Sequence, residues 1–189
     1  MFESYEDFFN IDLPMPELDF QALKWVQYNP RKNINRWGIS LTSLDGLSSG
    51  IPDLDSICEY NHINNTNYSE SDFNKPTPAY SRAFNFLSEH FDLGRSHIIK
   101  LGVGGFFPYH RDTDLNTFRI IYTFSGCQES NLIWTLNNQI VKLSNRKWYY
   151  INTKKVHSVF SFFGSEFAVF NVIANAKSES SVLNLLSIK

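Results

Sequence analysis

From residue 95 onward the apolar positions fall into short runs rich in Ile, Val, Phe, Tyr and Trp: "RSHIIKLGV", "FRIIYTF", "NLIWTL", "QIVKL", "KWYYIN", "HSVFSF" and "EFAVFNVI". Each has the length and composition of a strand. Asn137-Asn138, between "IWTL" and "QIVKL", suits a two-residue hairpin turn. Strands in close series, preceded by helices, predict a mainly β, α+β domain: an antiparallel sandwich or barrel with helices on one face.

The N-terminal half has a different pattern. After Pro14 and Pro16, "LDFQALKWVQY" places Leu18, Ala22, Trp25 and Val26 at helical spacing, which predicts a short amphipathic helix. A strand around Ile39 to Leu44 runs into a Gly-, Ser-, Pro- and Asp-containing loop. From Cys58 to Pro78 the sequence has almost no apolar periodicity and many Asn and Ser, so a long surface loop is expected, of the kind that borders binding sites. Thr77-Pro78 then reads as an N-cap and first helical residue; Ala79, Ala83, Phe84, Phe86, Leu87 and Phe91 continue the helix until Gly94. The tail "KSESSVLNLLSIK" fits a short helix or an edge strand.

With 189 residues the chain is expected to be one domain. A net charge of -2 gives no basic field to attract phosphate backbones, so nucleic acid is not an expected partner. The 17 Phe, 9 Tyr and 4 Trp supply large apolar areas for a core or a walled pocket. Cys58 and Cys127 lack CxxC spacing. The first residues carry Glu3, Glu6 and Asp7 where a signal peptide needs positive charge, and no apolar run reaches the roughly 18 to 20 residues that span a bilayer. A reducing, cytoplasmic setting with no membrane partner is expected, and the sequons at Asn64 and Asn67 then carry no glycan.

The chemistry concentrates in "GGFFPYHRDTDLNTFRIIYTF", Gly104 to Phe124. Side chains two apart on an extended strand share a face, so His110 and Asp112 form a two-ligand clip and Arg111 points away. Asp114 has the same parity, but HxD is the tighter spacing. His157, before "SVFSF", is the candidate third donor. Two imidazoles and a carboxylate on one face of a metal leave positions open, as in the facial triad of non-haem Fe(II) oxygenases. A kinase reading of His110-Arg111-Asp112 fails because position 117 is Thr where the motif needs Asn. A hydrolytic zinc site stays possible, although HExxH is absent. His62, His90 and His97 are expected to be structural.

Arg119 sits in "FRIIYTF", with Phe118, Ile120, Tyr122 and Phe124 on one face and Arg119, Ile121 and Thr123 on the other. Both faces are largely apolar, and a buried guanidinium needs an anion. Its planar fork suits a carboxylate, and the strand itself offers none. The rival is a structural ion pair with Asp114 or a helix carboxylate. Tyr109, Trp134 and Tyr149 are possible pocket walls or core, and Lys154-Lys155 reads as a solvated turn.

With "GGFFPYHRD", Arg119, "INTKKVHSVFSF" and "EFAVFNVI", the stretch from Arg95 to Ile173 resembles the 2-oxoglutarate-dependent Fe(II) dioxygenases, within them the aspartyl/asparaginyl β-hydroxylase-like group. The resemblance implies a double-stranded β-helix, a cupin-like jelly roll, over 95–175, with 1–94 a helical and loop part packed on one sheet and 176–189 a tail. It further implies Fe(II) as cofactor and 2-oxoglutarate and O2 as cosubstrates. Hydroxylation of a peptide, protein or small-molecule substrate would yield succinate and CO2. His110, Asp112 and His157 carry over as iron ligands and Arg119 as a 2-oxoglutarate carboxylate ligand. Where many members have a second basic residue after the distal histidine, this chain has Phe167. A non-catalytic cupin-like protein that binds a metal or ligand is the alternative, and a third is an assembly protein in which the histidines only pack.

Overall fold

A computed structural model describes residues 7–29, 34–112 and 116–186. The N-terminal part supplies strands β1 (Phe8–Ile11), β2 (Val26–Gln27), β3 (Arg36–Ser40), β4 (Thr42–Ser43) and β5 (Lys75–Pro76), with helices α1 (Ile57–Asn64), α2 (Pro78–Ala83) and α3 (Leu87–His90). There follow β6 (His97–Leu101), β7 (Phe106–His110), β8 (Thr117–Ser125), β9 (Leu132–Leu136), β10 (Gln139–Val141), β11 (Trp148–Ile151), β12 (His157–Ser161), β13 (Ser165–Ile173) and α4 (Ala176–Leu186).

One sheet has the order β1-β11-β8-β13-β6-β3-β2 and the other β10-β9-β12-β7. From β6 to β13 the chain crosses between the sheets as a double-stranded β-helix, or jelly roll. Its larger sheet is widened by β1 beside β11 and by β3 and β2 beyond β6. The N-terminal part therefore contributes strands as well as helices and loops. Asn137 and Asn138 both take positive φ, +49° and +64°, in the hairpin between β9 and β10, which is the twist a tight antiparallel hairpin needs.

Strand alternation divides the core in two. On β8, Phe118, Ile120 and Tyr122 meet α2, α3 and α4 through Ala83, Phe84, Leu87 and Val182. Ile121, from the opposite face, packs with Leu132, Trp134, Val159 and Phe167 between the sheets. The strand is buried on both faces, as its composition implies. The single helix expected from Ala79 to Phe91 is broken in two at Phe84, whose ring packs edge-on against Phe170 at 5.0 Å.

Two local expectations are corrected. "LDFQALKWVQY" forms only a single 3-10 turn, Phe20–Ala22, capped by Asp19, before β2. Leu18, Phe20, Leu23 and Trp25 still cover the core, but β3 draws Val26 and Gln27 into its ladder, so tertiary pairing overrides helical spacing. The stretch from Cys58 to Pro78 is not all loop. It contains α1, which buries no residue and so has no apolar period to read. Asn61 closes the following turn, donating to the Tyr68 carbonyl at 2.8 Å and accepting from Thr66 Oγ1 at 2.9 Å. The ambiguous tail is helical, as α4. No helix among the described residues is long and apolar enough to cross a membrane.

Candidate metal centre

His110 ends β7, His157 begins β12, and the two are direct cross-strand partners, with ring centres 4.1 Å apart. A register irregularity at this end of the ladder lets Phe107 and His110 both line the interior, where strict alternation would set them on opposite faces. Asp112 lies just beyond β7, its N–H bonded to the Thr153 carbonyl at 3.0 Å. One donor atom each from His110, Asp112 and His157 lies within 4.8 Å of the other two, a group that could hold a metal ion.

The protons on this group follow from its neighbours. His110 Nδ1 lies 2.7 Å from the Pro108 carbonyl and His157 Nδ1 3.0 Å from the Lys155 carbonyl. A carbonyl oxygen only accepts, so each Nδ1 carries the hydrogen, and a neutral ring then presents its Nε2 lone pair. Burial, reinforced by the neighbouring His110, holds the His157 pKa below the ordinary histidine value and favours that neutral form.

Asp112 is ionised. Burial pushes its pKa up, but Arg119, the Thr153 hydroxyl and the two histidines outweigh burial and leave it below the usual value. Its Oδ2 accepts from Thr153 Oγ1 at 2.6 Å and pairs with Arg119 Nη2 at 3.0 Å. The other oxygen, Oδ1, faces His110 Nε2 at 3.8 Å. Three lone pairs therefore converge while the outer side of the carboxylate is tied down.

Arg119 thus has an acidic partner that its own strand did not supply: Asp112, with Glu70 Oε2 4.0 Å away. Glu70 in turn accepts from Arg95 Nε at 3.0 Å and from Asn171 Nδ2 at 2.9 Å. Arg119 Nη1, though buried, has no partner.

The group opens into a cavity of about 1130 Å³ between the two sheets, whose lining includes Ser56, Cys58 and Asn61 around α1 and Tyr68 to Ser71. Part of the polar segment from Cys58 onward, Cys58, Asn61 and Tyr68 to Ser71, thus lines the cavity. Among the described residues seven buried side-chain polar atoms lack a partner. Five of them, on Asn29, Arg36, His97, Arg119 and Trp134, belong to residues lining this cavity. Orphaned buried polar atoms are costly and rare in folded proteins, so these five call for polar contents of the cavity, water or ligand.

The four sequence-derived site residues, His110, Asp112, His157 and Arg119, are brought together. Trp134 lines the cavity; Tyr149 is buried in the core, where its hydroxyl accepts from the Ser144 N–H, and Tyr109 is exposed. Asp114 lies outside the described residues. His62 and His90 sit on α1 and α3, away from the metal group. His97, expected to be structural, is buried on β6 and lines the cavity, its pKa held well below the ordinary value by burial and by Arg95 and Arg119. Sequence reasoning missed Arg36, Arg95 and Glu70. For Arg36 the signal was present, a guanidinium opening the strand "RWGIS".

Neither a protein-family model nor a curated protein sequence matches the chain. Solved structures with a similar arrangement include an RmlC-like cupin from Shewanella frigidimarina, with TM-score 0.36 and 15% identity, covering 50% of this chain and 74% of that one. A predicted oxalate decarboxylase from Thermotoga maritima has TM-score 0.36 and 17% identity, covering 43% and 67%. Salicylate 1,2-dioxygenase from Pseudaminobacter salicylatoxidans has TM-score 0.34 and 13% identity; the match covers 49% of this chain but only 23% of that one. The chemistry of the site rests on its own side chains.

Proposed function

We propose that the protein is an Fe(II)- and 2-oxoglutarate-dependent oxygenase, a hydroxylase acting on a peptide or protein side chain or a small molecule, with succinate and CO2 as coproducts. The observation that carries this reading is the convergence of one donor atom each from His110, Asp112 and His157, with His110 Nε2 3.8 Å from Asp112 Oδ1, at one wall of the open cavity. Two imidazole nitrogens and one carboxylate oxygen are a donor set suited to non-haem Fe(II). Fe(II) held there would supply the site at which 2-oxoglutarate and O2 react, one oxygen atom of O2 going into succinate and the other into a substrate C–H bond.

The chain's own contribution is positioning. Thr153 and Arg119 hold Asp112 Oδ2 and turn Oδ1 inward. The backbone carbonyls at Pro108 and Lys155 fix the two imidazole tautomers. The free Nη1 of Arg119 is available to a cosubstrate carboxylate. The resemblance to the aspartyl/asparaginyl β-hydroxylase-like group, carried by "GGFFPYHRD" and "INTKKVHSVFSF", supports the same assignment.

A second reading is a cupin-like metal-binding protein without oxygenase activity, in which Arg119 serves only to hold Asp112 through the 3.0 Å pair. Incubation with Fe(II), 2-oxoglutarate and O2 separates the two. An oxygenase releases succinate and adds one oxygen atom to its substrate; a binding protein takes up metal and leaves 2-oxoglutarate intact.

A further inference from the structure

Arg36 opens β3, a strand outside the eight of the jelly roll, and its side chain points into the cavity. Only 4% of the residue is exposed, its Nε has no hydrogen-bond partner, and no acidic side chain among the described residues pairs with it. The guanidinium lies between two rings, 5.0 Å from the centre of Tyr28 and 4.2 Å from that of Phe107. Such ring contacts favour a cation modestly and fall well short of the several kcal/mol it costs to bury an unpaired charge.

The other buried arginines of the cavity differ. Arg119 is committed through Nη2 to Asp112, and Arg95 to Glu70 and to the carbonyl of Asp55 at 2.9 Å. Phe167, where a basic residue might have stood, is 1% exposed and packs against Trp134. Among the described residues Arg36 is thus the buried arginine of this cavity that no acidic side chain pairs with, and the orphaned Nδ1 of His97 lies on the neighbouring strand β6. Burial presses the Arg36 pKa down, but a guanidinium stays charged at neutral pH regardless.

We propose that Arg36 is the anion anchor of the cavity and binds a carboxylate of the molecule that occupies the space between it and the metal group. Phe107 stands beside both ends of that space, its ring centre 6.4 Å from that of His110. The carboxylate belongs either to the far end of 2-oxoglutarate or to the substrate. This inference rests on reading the cavity as a ligand site, but the anchor itself does not depend on which metal, if any, binds.

The test uses the full chain, as wild type, Arg36→Met and Arg36→Lys, with melting curves and calorimetric titrations. Without metal, succinate should raise the melting temperature of the wild type, and Arg36→Met should bind it at least about tenfold more weakly, the loss expected for a charged hydrogen-bonded pair. Without ligand, Arg36→Met should melt no lower than wild type, because an unpaired buried charge has been removed. Arg36→Lys, which keeps the charge and loses the fork, should fall between them and serves as the comparison if the methionine variant does not fold.

With Mn(II) in place of Fe(II), 2-oxoglutarate is compared with 2-oxopentanoate, which lacks the far carboxylate. If Arg36→Met erases the preference for 2-oxoglutarate, the anchored carboxylate is the cosubstrate's; if the preference survives while succinate binding is lost, it is the substrate's. Wild-type affinities for both succinate and 2-oxoglutarate in a folded Arg36 variant overturn the proposal. Arg36-dependent succinate binding with no effect of Mn(II) on 2-oxoglutarate affinity would leave the anchor standing and remove the oxygenase reading instead.

Discussion

Arg119 Nη2 stands 3.0 Å from Asp112 Oδ2, so the buried arginine holds the carboxylate that completes the metal group. One charged pair fixes the rotamer of the ligand, keeps it ionised despite burial and leaves Oδ1 toward the histidines. Groups that orient a metal ligand in this way are typically worth about 10- to 100-fold in metal affinity.

Arg119→Met should therefore weaken Fe(II) or Mn(II) binding by about that factor, besides any loss of 2-oxoglutarate affinity. Calorimetric titration of metal alone reads this. Unchanged metal affinity in the folded variant would show that the pair does not position Asp112.

Thr153→Val removes the 2.6 Å hydroxyl bond to the same carboxylate oxygen with little change of shape. The loss of one hydrogen bond to a charged acceptor, about 1.5–3 kcal/mol, should weaken metal binding in the same direction as Arg119→Met. In the double variant the two effects should not add, since both act through Asp112 Oδ2; full additivity would mean they act separately.

Placing a basic residue at Phe167 should not create a carboxylate site there. Its ring lines the cavity but is only 1% exposed and lies 5.5 Å from that of Trp134, so Phe167→Arg loses this packing and adds another unpaired guanidinium to the wall, at a cost of several kcal/mol. A sharply lowered melting temperature is expected; a stable variant with tighter 2-oxoglutarate binding would contradict this.

Asp53 gives a pH dependence away from the metal group. Burial raises its pKa to about 6, only partly offset by the Ser40 hydroxyl bonded at 2.9 Å. The folded state thus holds this proton more tightly than the unfolded chain. Its contribution is fully present below pH 4 and is lost as pH rises through 6. Asp53→Asn, which can still accept from Ser40, should gain stability relative to wild type between pH 4 and 7, by up to about 3 kcal/mol at about 1.4 kcal/mol per pKa unit. Denaturant melts at both pH values read the difference; a constant gap across the range would assign Asp53 an ordinary pKa.

The jelly-roll strands were legible because their signal is local. β8 states its two faces in its own alternation, and both are found buried. The triad was legible for the same reason: His110 and Asp112 are two apart, and His157 opens a strand of its own. What was not legible depends on distant partners. β1 pairs with β11 across most of the chain, and "FFNI" alone gives no hint of it. The partner of Arg119 was expected to be a bound carboxylate, with Asp114 or a helix carboxylate as the rival; the structure pairs it with Asp112, just beyond β7, and sets Glu70 nearby, in a segment with no apolar period. Trp25 and its neighbours have helical spacing because they cover an apolar sheet, a demand that an irregular chain can also meet.

The most direct measurement of the central claim is succinate formation from 2-oxoglutarate by purified protein with Fe(II) in air, compared with the same protein carrying His110→Ala. The account predicts Fe(II)-dependent succinate from the wild type and none above background from the variant, with the fold retained. Wild-type succinate formation by the folded His110→Ala protein, or none from an Fe(II)-loaded wild type, would contradict it.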